Sequence, residues 1–190
     1  MKIVVAVTGA SGALYAKEFL SALQKTGHEV SVVASDVAKI VWADELGEDL
    51  RQIGHKLYGI KDFKAPFASG SALYDQMVII PCSMGTLGRI AHGTADDLIS
   101  RSADVFLKEK RKLILVPRET PFNLIHVENL RLVMLAGATV IPAMPSFYSK
   151  PKTVLEVVHT VVARVLDQMG IGNELMPRYE GKLNAPTKDS

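Results

Sequence analysis

Apolar runs alternate with helix-period segments, the strand-like runs are almost continuously Val, Ile and Leu, and glycines and hydroxyl residues follow those runs directly. Together these three observations predict an α/β fold built from βαβ units. Continuously apolar strands are what a parallel sheet covered on both faces requires. The expected architecture is a doubly wound, mainly parallel sheet flanked by helices in three layers, Rossmann-like or flavodoxin-like.

The first strand is expected at 2–8, where Ile3-Val4-Val5-Ala6-Val7 is uninterrupted by charge. A helix near 12–26, a strand near 28–34 and helical stretches near 36–53 follow. Met77-Val78-Ile79-Ile80 marks a strand at 76–81 that closes on Pro81. Helices near 84–92 and 95–109 lead to the strand Lys112-Leu113-Ile114-Leu115-Val116. A helix near 121–136, with Pro121 preset at its start, precedes a strand near 138–142 and a helix near 152–169. Segment 55–75, containing Ala65-Pro66-Phe67-Ala68-Ser69-Gly70-Ser71, breaks the repeat and reads as a hairpin or an excursion. Beyond Ile171 the chain stays apolar through Met176-Pro177-Arg178-Tyr179, which suits packing on a neighbouring subunit. One domain is expected over 1–180, with a flexible tail at 181–190.

With 190 residues the chain suits one domain, which buries roughly 70% of its unfolded surface. Its 48% hydrophobic and 22% charged residues make an ordinary globular composition. A formal net charge of +2 is too small to argue for nucleic acid or an anionic membrane as partner, so any functional positive charge must be local. The apolar runs fall short of a bilayer span and Met1-Lys2 leads into a strand rather than a signal peptide, so a cytoplasmic location is expected. The single cysteine, Cys82, excludes an internal disulfide and a cysteine cage. His28, His55, His92, His126 and His159 show no metal-ligand spacing, and no protein-bound metal is expected.

In such sheets ligands sit over the carboxyl ends of the strands. Two junctions there carry Gly, Ser and Thr: Thr8-Gly9-Ala10-Ser11-Gly12-Ala13 and Pro81-Cys82-Ser83-Met84-Gly85-Thr86-Leu87. Backbone N–H groups at a helix start, joined by hydroxyls, make an anion cradle, and two of them suggest a phosphorylated cofactor or substrate. The first junction is no dinucleotide fingerprint, because Leu14 or Tyr15 stands where a third glycine is needed; NAD is disfavoured. Ser35 beside Asp36 suits a smaller phosphate-bearing cofactor, although a plain βα turn with serine as N-cap explains the first junction equally well.

Cys82 has no local histidine to activate it and reads as a small buried hydrophobe. Arg101, Asp104, Lys108 and Arg111 lie at helical spacing, so Asp104 with Lys108 also suits a solvent-exposed i,i+4 pair. His126 and Glu128 suit a cap or a surface pair. Arg118-Glu119-Thr120-Pro121 puts a base and an acid at the carboxyl end of an apolar strand, an active-site address. Tyr148, after the turn Pro142-Ala143-Met144-Pro145, and Arg164, on the last helix, can share an anion with them; alone, Arg164 is equally a surface arginine.

Both junctions, with Ala68-Ser69-Gly70-Ser71, Ala103-Asp104-Val105-Phe106-Leu107-Lys108-Glu109, Pro117-Arg118-Glu119-Thr120-Pro121, Ile125-His126-Val127-Glu128-Asn129 and Pro145-Ser146-Phe147-Tyr148, closely resemble the UbiX/Pad-type flavin prenyltransferases over nearly the whole chain. The resemblance implies binding of FMN and transfer of a dimethylallyl group from dimethylallyl phosphate to N5 and C6 of the reduced flavin. The product, prenylated FMN, would serve a UbiD-type decarboxylase. Gly9, Ala10, Ser11, Ser35, Ser83, Met84, Gly85, Thr86 and Arg118 would contact FMN. Lys108, Glu119, Tyr148 and Arg164 would hold the dimethylallyl phosphate, some of them from neighbouring subunits of a large homo-oligomer, with a dodecamer as the candidate size. Arg101 and Glu45 match a basic and an acidic position of the family's site. Tyr179 stands where some relatives carry Trp, and either ring can close the pocket. Trp42, the only tryptophan, occupies no such position.

The residue types suit the implied chemistry. Breaking an allylic C–O bond builds negative charge on the departing phosphate, which Lys108, Arg164 and the Tyr148 hydroxyl would stabilise without a metal ion. Glu119 would shuttle a proton between the phosphate and flavin N5, with Ser11 as relay. Two alternatives remain at this stage. A flavin-dependent cysteine decarboxylase would need a catalytic histidine and a PASANT-like turn, whereas the turn here is Pro81 to Thr86 and His55 lacks a motif. A non-catalytic flavin carrier would have no use for Lys108, Glu119, Tyr148 and Arg164 together.

Overall fold

A computed structural model describes residues 1–178. The doubly wound, three-layer expectation holds. Among the described residues six strands form one all-parallel sheet, in the order β3-β2-β1-β4-β5-β6. They are β1 (Lys2–Val7), β2 (Glu29–Ala34), β3 (Lys56–Tyr58), β4 (Gln76–Cys82), β5 (Lys112–Pro117) and β6 (Thr139–Val140). The helices are α1 (Ala13–Gln24), α2 (Asp36–Leu46), α3 (Met84–Ala91), α4 (Leu98–Lys108), α5 (Leu124–Leu135) and α6 (Val154–Met169).

Period-two alternation along the strands divides the core between the two faces. Ile3, Val5, Val78, Ile80, Ile114 and Val116 point to the layer of α1, α2 and α6, with Phe19, Trp42 and Leu166. Val4, Ala6, Met77, Ile79, Leu113 and Leu115 point to the layer of α3, α4 and α5, with Leu87, Phe106 and Val133. The chain builds outward from β1 to β2 and β3, then returns to place β4 on the other side of β1. The switch point, where a ligand crevice opens, therefore lies between the carboxyl ends of β1 and β4. Both glycine- and hydroxyl-rich junctions stand there.

Several boundaries depart from expectation. The helical stretch over 36–53 stops at Gly47, whose left-handed φ of 67° caps α2, and resumes as one 3-10 turn at Leu50–Gln52. Segment 55–75 is no hairpin: β3 pairs in parallel with β2 at the sheet edge. Phe67 then anchors the excursion edge-to-face between Tyr58 and Tyr74, at 5.0 and 5.5 Å. Pro121 does not open a helix. Its peptide bond to Thr120 is cis, and α5 begins at Leu124 because the Asn123 side chain accepts the His126 N–H at 2.9 Å. The last strand shortens to Thr139–Val140.

Residues 171–178 pack on their own protomer: Ile171 and Met176 are buried, and Leu175 lies against the α1–α6 core. Tyr179 and the tail 181–190 lie outside the described residues. No helix among the described residues is long and apolar enough to cross a membrane.

Candidate functional site

Thr8, the last residue of the first apolar run, joins the two junctions. Its hydroxyl donates to the Pro81 carbonyl at 2.8 Å and accepts the Ser83 N–H at 2.8 Å. The Thr8 N–H also reaches the Pro81 carbonyl, at 3.3 Å. Buried to 1% exposure, this residue fixes the Gly9–Ser11 turn against the start of α3. Gly9 is required by a close approach: a Cβ there would stand 2.4 Å from Cγ1 of Val37 on α2.

At the first junction, Gly12 and not Ser11 is the N-cap of α1, and it caps with no side chain. Glu45, from the end of α2, supplies the missing acceptor. Its carboxylate takes the N–H of Gly12 at 2.9 Å and of Ala13 at 2.8 Å. Burial would raise the Glu45 pKa, but the Ser11 hydroxyl, these two N–H groups and the charge of Arg118 outweigh it and hold the carboxyl below its ordinary value. The helix start is thus already neutralised by the chain's own anion. An incoming ligand finds the Gly9–Ser11 turn rather than the first N–H groups of α1.

The second junction stays open. Ser83 caps α3, accepting the Thr86 N–H at 3.3 Å and donating to the Thr86 hydroxyl at 3.1 Å. Met84 turns inward, whereas Gly85 is exposed, and a Cβ on it would meet nothing nearer than Arg89 Nη1 at 3.9 Å. Arg89 was not singled out by the sequence. Its Nη2 donates to Thr86 Oγ1 at 3.3 Å, and its buried Nε makes no hydrogen bond among the described residues but lies 3.7 Å from the Asp97 carboxylate and 3.8 Å from that of Asp96. Ser35 is spent in part on capping α2, where it accepts the Ala38 N–H at 3.1 Å. Cys82 is fully buried and its thiol is pushed up to about 12 by that burial, so it stays protonated and unreactive.

From the end of β5, Arg118 reaches back to the first junction and its Nε donates to the Ser11 carbonyl at 2.9 Å. Glu119, next to it, accepts the Thr120 N–H at 2.9 Å. Glu119 and Arg118 line a cleft of about 370 Å³ with Pro142 and Met144. A second cleft of about 310 Å³ shares Pro142 and Met144 and is lined by Tyr148 and Arg164. The structure therefore brings Ser11, Ser83, Arg118, Glu119, Tyr148 and Arg164 to one edge of the sheet.

Lys108 and Arg101 are not among them. Lys108 ends α4, four residues before β5 begins, whereas Glu119 lies just past its carboxyl end. Six strand residues at about 3.3 Å each put the two roughly 20 Å apart within a protomer. The Asp104–Lys108 pair that the spacing also allows is not formed among the described residues: Lys108 Nζ binds Glu109 at 2.9 Å and Asp104 binds Arg101 at 3.3 Å. Arg101 also donates to the Ala68 carbonyl at 3.1 Å. His126 completes the cap of α5, and Glu128 pairs with Arg131 on its surface.

Residues 1–166 match the family model for "Flavoprotein". The flavin prenyltransferase UbiX of Methanocaldococcus jannaschii is 47% identical over 182 residues, covering 94% of this chain and 98% of that protein. The chain belongs to the UbiX branch of the Flavoprotein family. Two solved UbiX-type structures have the same fold. A dodecameric, FMN-dependent UbiX-like decarboxylase from Escherichia coli O157:H7 superposes with a TM-score of 0.93 at 43% identity, over 95% of this chain and 100% of that one. AnUbiX (PadA1), in complex with FMN and dimethylallyl pyrophosphate, gives a TM-score of 0.93 at 40% identity, over 95% and 98%. In this UbiX-type chain, the residues that sequence reasoning missed are Thr8, Arg89, Asp167 and Arg178. Thr8 carried a signal, as a hydroxyl directly after an apolar strand, and so did Asp167, three residues after Arg164 on one helix.

Proposed function

We propose that the chain is a flavin prenyltransferase, transferring a dimethylallyl group from dimethylallyl phosphate to N5 and C6 of reduced FMN. The observation that carries this reading is the contiguity of the two clefts. Arg118 binds the Ser11 turn, Glu119 lines the adjoining space, and through Pro142 and Met144 that space meets the Tyr148–Arg164 cleft.

The donor set suits FMN: the hydroxyls of Ser11, Ser35, Ser83 and Thr86, the Arg118 guanidinium, the open face over Gly85 and the Arg89 guanidinium beside it. Gly9, Ala10 and Met84 would complete the wall. When bound in reduced form, FMN supplies the nucleophilic N5 and C6. The chain's own residues do the rest. Arg164 and the Tyr148 hydroxyl hold the phosphate of the second substrate and stabilise the charge that grows on it as the C–O bond breaks. Glu119 carries a proton to a phosphate oxygen, with the Ser11 hydroxyl within its relay. Glu45 keeps the Ser11 turn in place by capping α1.

Lys108 and Arg101 join the phosphate site from a neighbouring subunit, since their own protomer holds them at the opposite sheet edge. Helix α5 supports assembly: Leu124, Ile125, Val127, Met134 and Leu135 are all exposed, a larger apolar face than a free monomer normally presents. A large homo-oligomer follows, in keeping with the dodecameric UbiX-like relative. The product would pass to a UbiD-type decarboxylase in the cytoplasm. The cysteine decarboxylase alternative lacks its histidine, because His55 faces the Leu20 carbonyl at 3.3 Å, away from the clefts.

The deciding experiment is anaerobic incubation of the purified protein with reduced FMN and dimethylallyl phosphate, followed by mass spectrometry. A flavin heavier by one C5 unit is expected. An unchanged flavin mass sinks the proposal, and unchanged flavin with support of a decarboxylase partner would leave only a carrier.

A further inference from the structure

Asp167, on the last turn of α6, gathers three donors, one from its own helix and two from the segment that follows it. Its Oδ2 accepts from Arg164 Nη1 at 3.0 Å and from Arg178 Nη1 at 2.6 Å. Its Oδ1 accepts from Asn173 Nδ2 at 3.1 Å. Arg178 Nη2 closes the loop by donating to the Asn173 carbonyl at 3.2 Å. The carboxylate is largely enclosed, with its side chain 17% exposed, while both arginines are more than half exposed.

Two guanidinium groups converging on one oxygen repel each other unless a negative charge lies between them. Asp167 supplies it, and the pair keeps one net positive charge. Arg178 holds the Asp167 carboxyl below its ordinary value, against burial, with Asn173 and Arg164 adding to it. The same 171–178 segment reaches the other half of the phosphate cleft, where Met176 Sδ lies 4.0 Å from the Tyr148 hydroxyl. One short segment thus leans on Tyr148 at one point and is tied to Arg164's partner at another.

We propose that Asp167 is a positioning residue that fixes Arg164 at the Tyr148 cleft and latches residues 171–178 to α6 through Asn173 and Arg178. This rests on the proposed role of Arg164 and Tyr148 in holding the phosphate of dimethylallyl phosphate. Asp167 itself touches neither substrate. It presets a guanidinium that would otherwise sample many rotamers on an exposed helix face.

The test uses full-length protein loaded with oxidised FMN, which is not the reduced prenyl acceptor, so that binding is read apart from turnover. Binding of dimethylallyl phosphate is measured by calorimetry, FMN affinity by fluorescence, and hydrogen exchange at 171–178 by mass spectrometry. The D167N variant keeps the shape but removes the negative charge that lies between the two guanidinium groups. It should weaken dimethylallyl phosphate about tenfold and speed exchange at 171–178 about tenfold, with FMN affinity within about twofold of the wild type. Asp167→Glu should recover most of both losses. Unchanged dimethylallyl phosphate binding in D167N overturns the proposal. So does weakened binding without faster exchange at 171–178, or a parallel loss of FMN affinity, which marks a general structural defect. A wild type that binds dimethylallyl phosphate yet yields no heavier flavin when reduced overturns the prenyltransferase reading and leaves the latch standing. A wild type that does not bind it overturns both.

Discussion

The hydroxyl of Thr8 and the backbone N–H of Ser83 lie 2.8 Å apart, joining the two ligand-facing turns at the switch point of the sheet. Replacing Thr8 by Val preserves the shape of a buried side chain but leaves the Ser83 N–H without its acceptor. The cost is about 1–3 kcal/mol. For a chain of this size, that lowers the melting temperature by about 4–8 °C at the middle of the range. FMN affinity should fall with it, while Thr8→Ser should stay close to wild type. Calorimetric melting with and without FMN checks both.

Glu119→Gln should separate binding from chemistry. The amide still accepts the Thr120 N–H, so the cleft keeps its shape, but it cannot carry a proton. Flavin binding should be unchanged and turnover should drop about 10²-fold or more, read from the yield of heavier flavin. Equal losses of binding and turnover would assign Glu119 to structure alone.

Glu45 ties α1 to α2 as an ionised group. A carboxyl held below its unfolded value adds stability that is fully present above the ordinary Glu value of 4.5 and is lost as pH falls through the lowered folded value. Glu45→Gln should therefore cost about 0.5 kcal/mol at neutral pH, a figure reduced by the group's exposure. The difference from wild type should vanish in acid. Urea unfolding at neutral and acidic pH measures it, and a difference that grows in acid would contradict the assignment.

Cys82, for all its prominence in the turn, should be chemically silent. With its thiol pushed up to about 12 and no exposure, it should resist iodoacetamide in the folded protein and react fully once unfolded. Cys82→Ala should retain turnover.

The layered fold and its strands were legible because parallel strands covered on both faces leave an unmistakable apolar record. Gly47, Asn123 and the β3 edge escaped, since each depends on a local competition: a left-handed cap, a side-chain acceptor outbidding Pro121, and three residues that find β2 only across space. The turns at Ser11 and Ser83 and the Arg118-Glu119 pair could be located as strand ends. That Glu45 would occupy the α1 start, or that Arg178 would join the i,i+3 pair of Arg164 and Asp167, could not, because both contacts form between separate segments of the chain.

Lys108 and Glu119 stand at opposite edges of the same sheet, and this has a consequence for inheritance. On the proposed assembly, a chain that loses Lys108 keeps its own pocket intact, served by a neighbour's lysine, and disables the pocket next door. A chain that loses Glu119 harms only itself. Cells expressing both defective copies would assemble some pockets with every group present, so two alleles that are each inactive alone should complement one another.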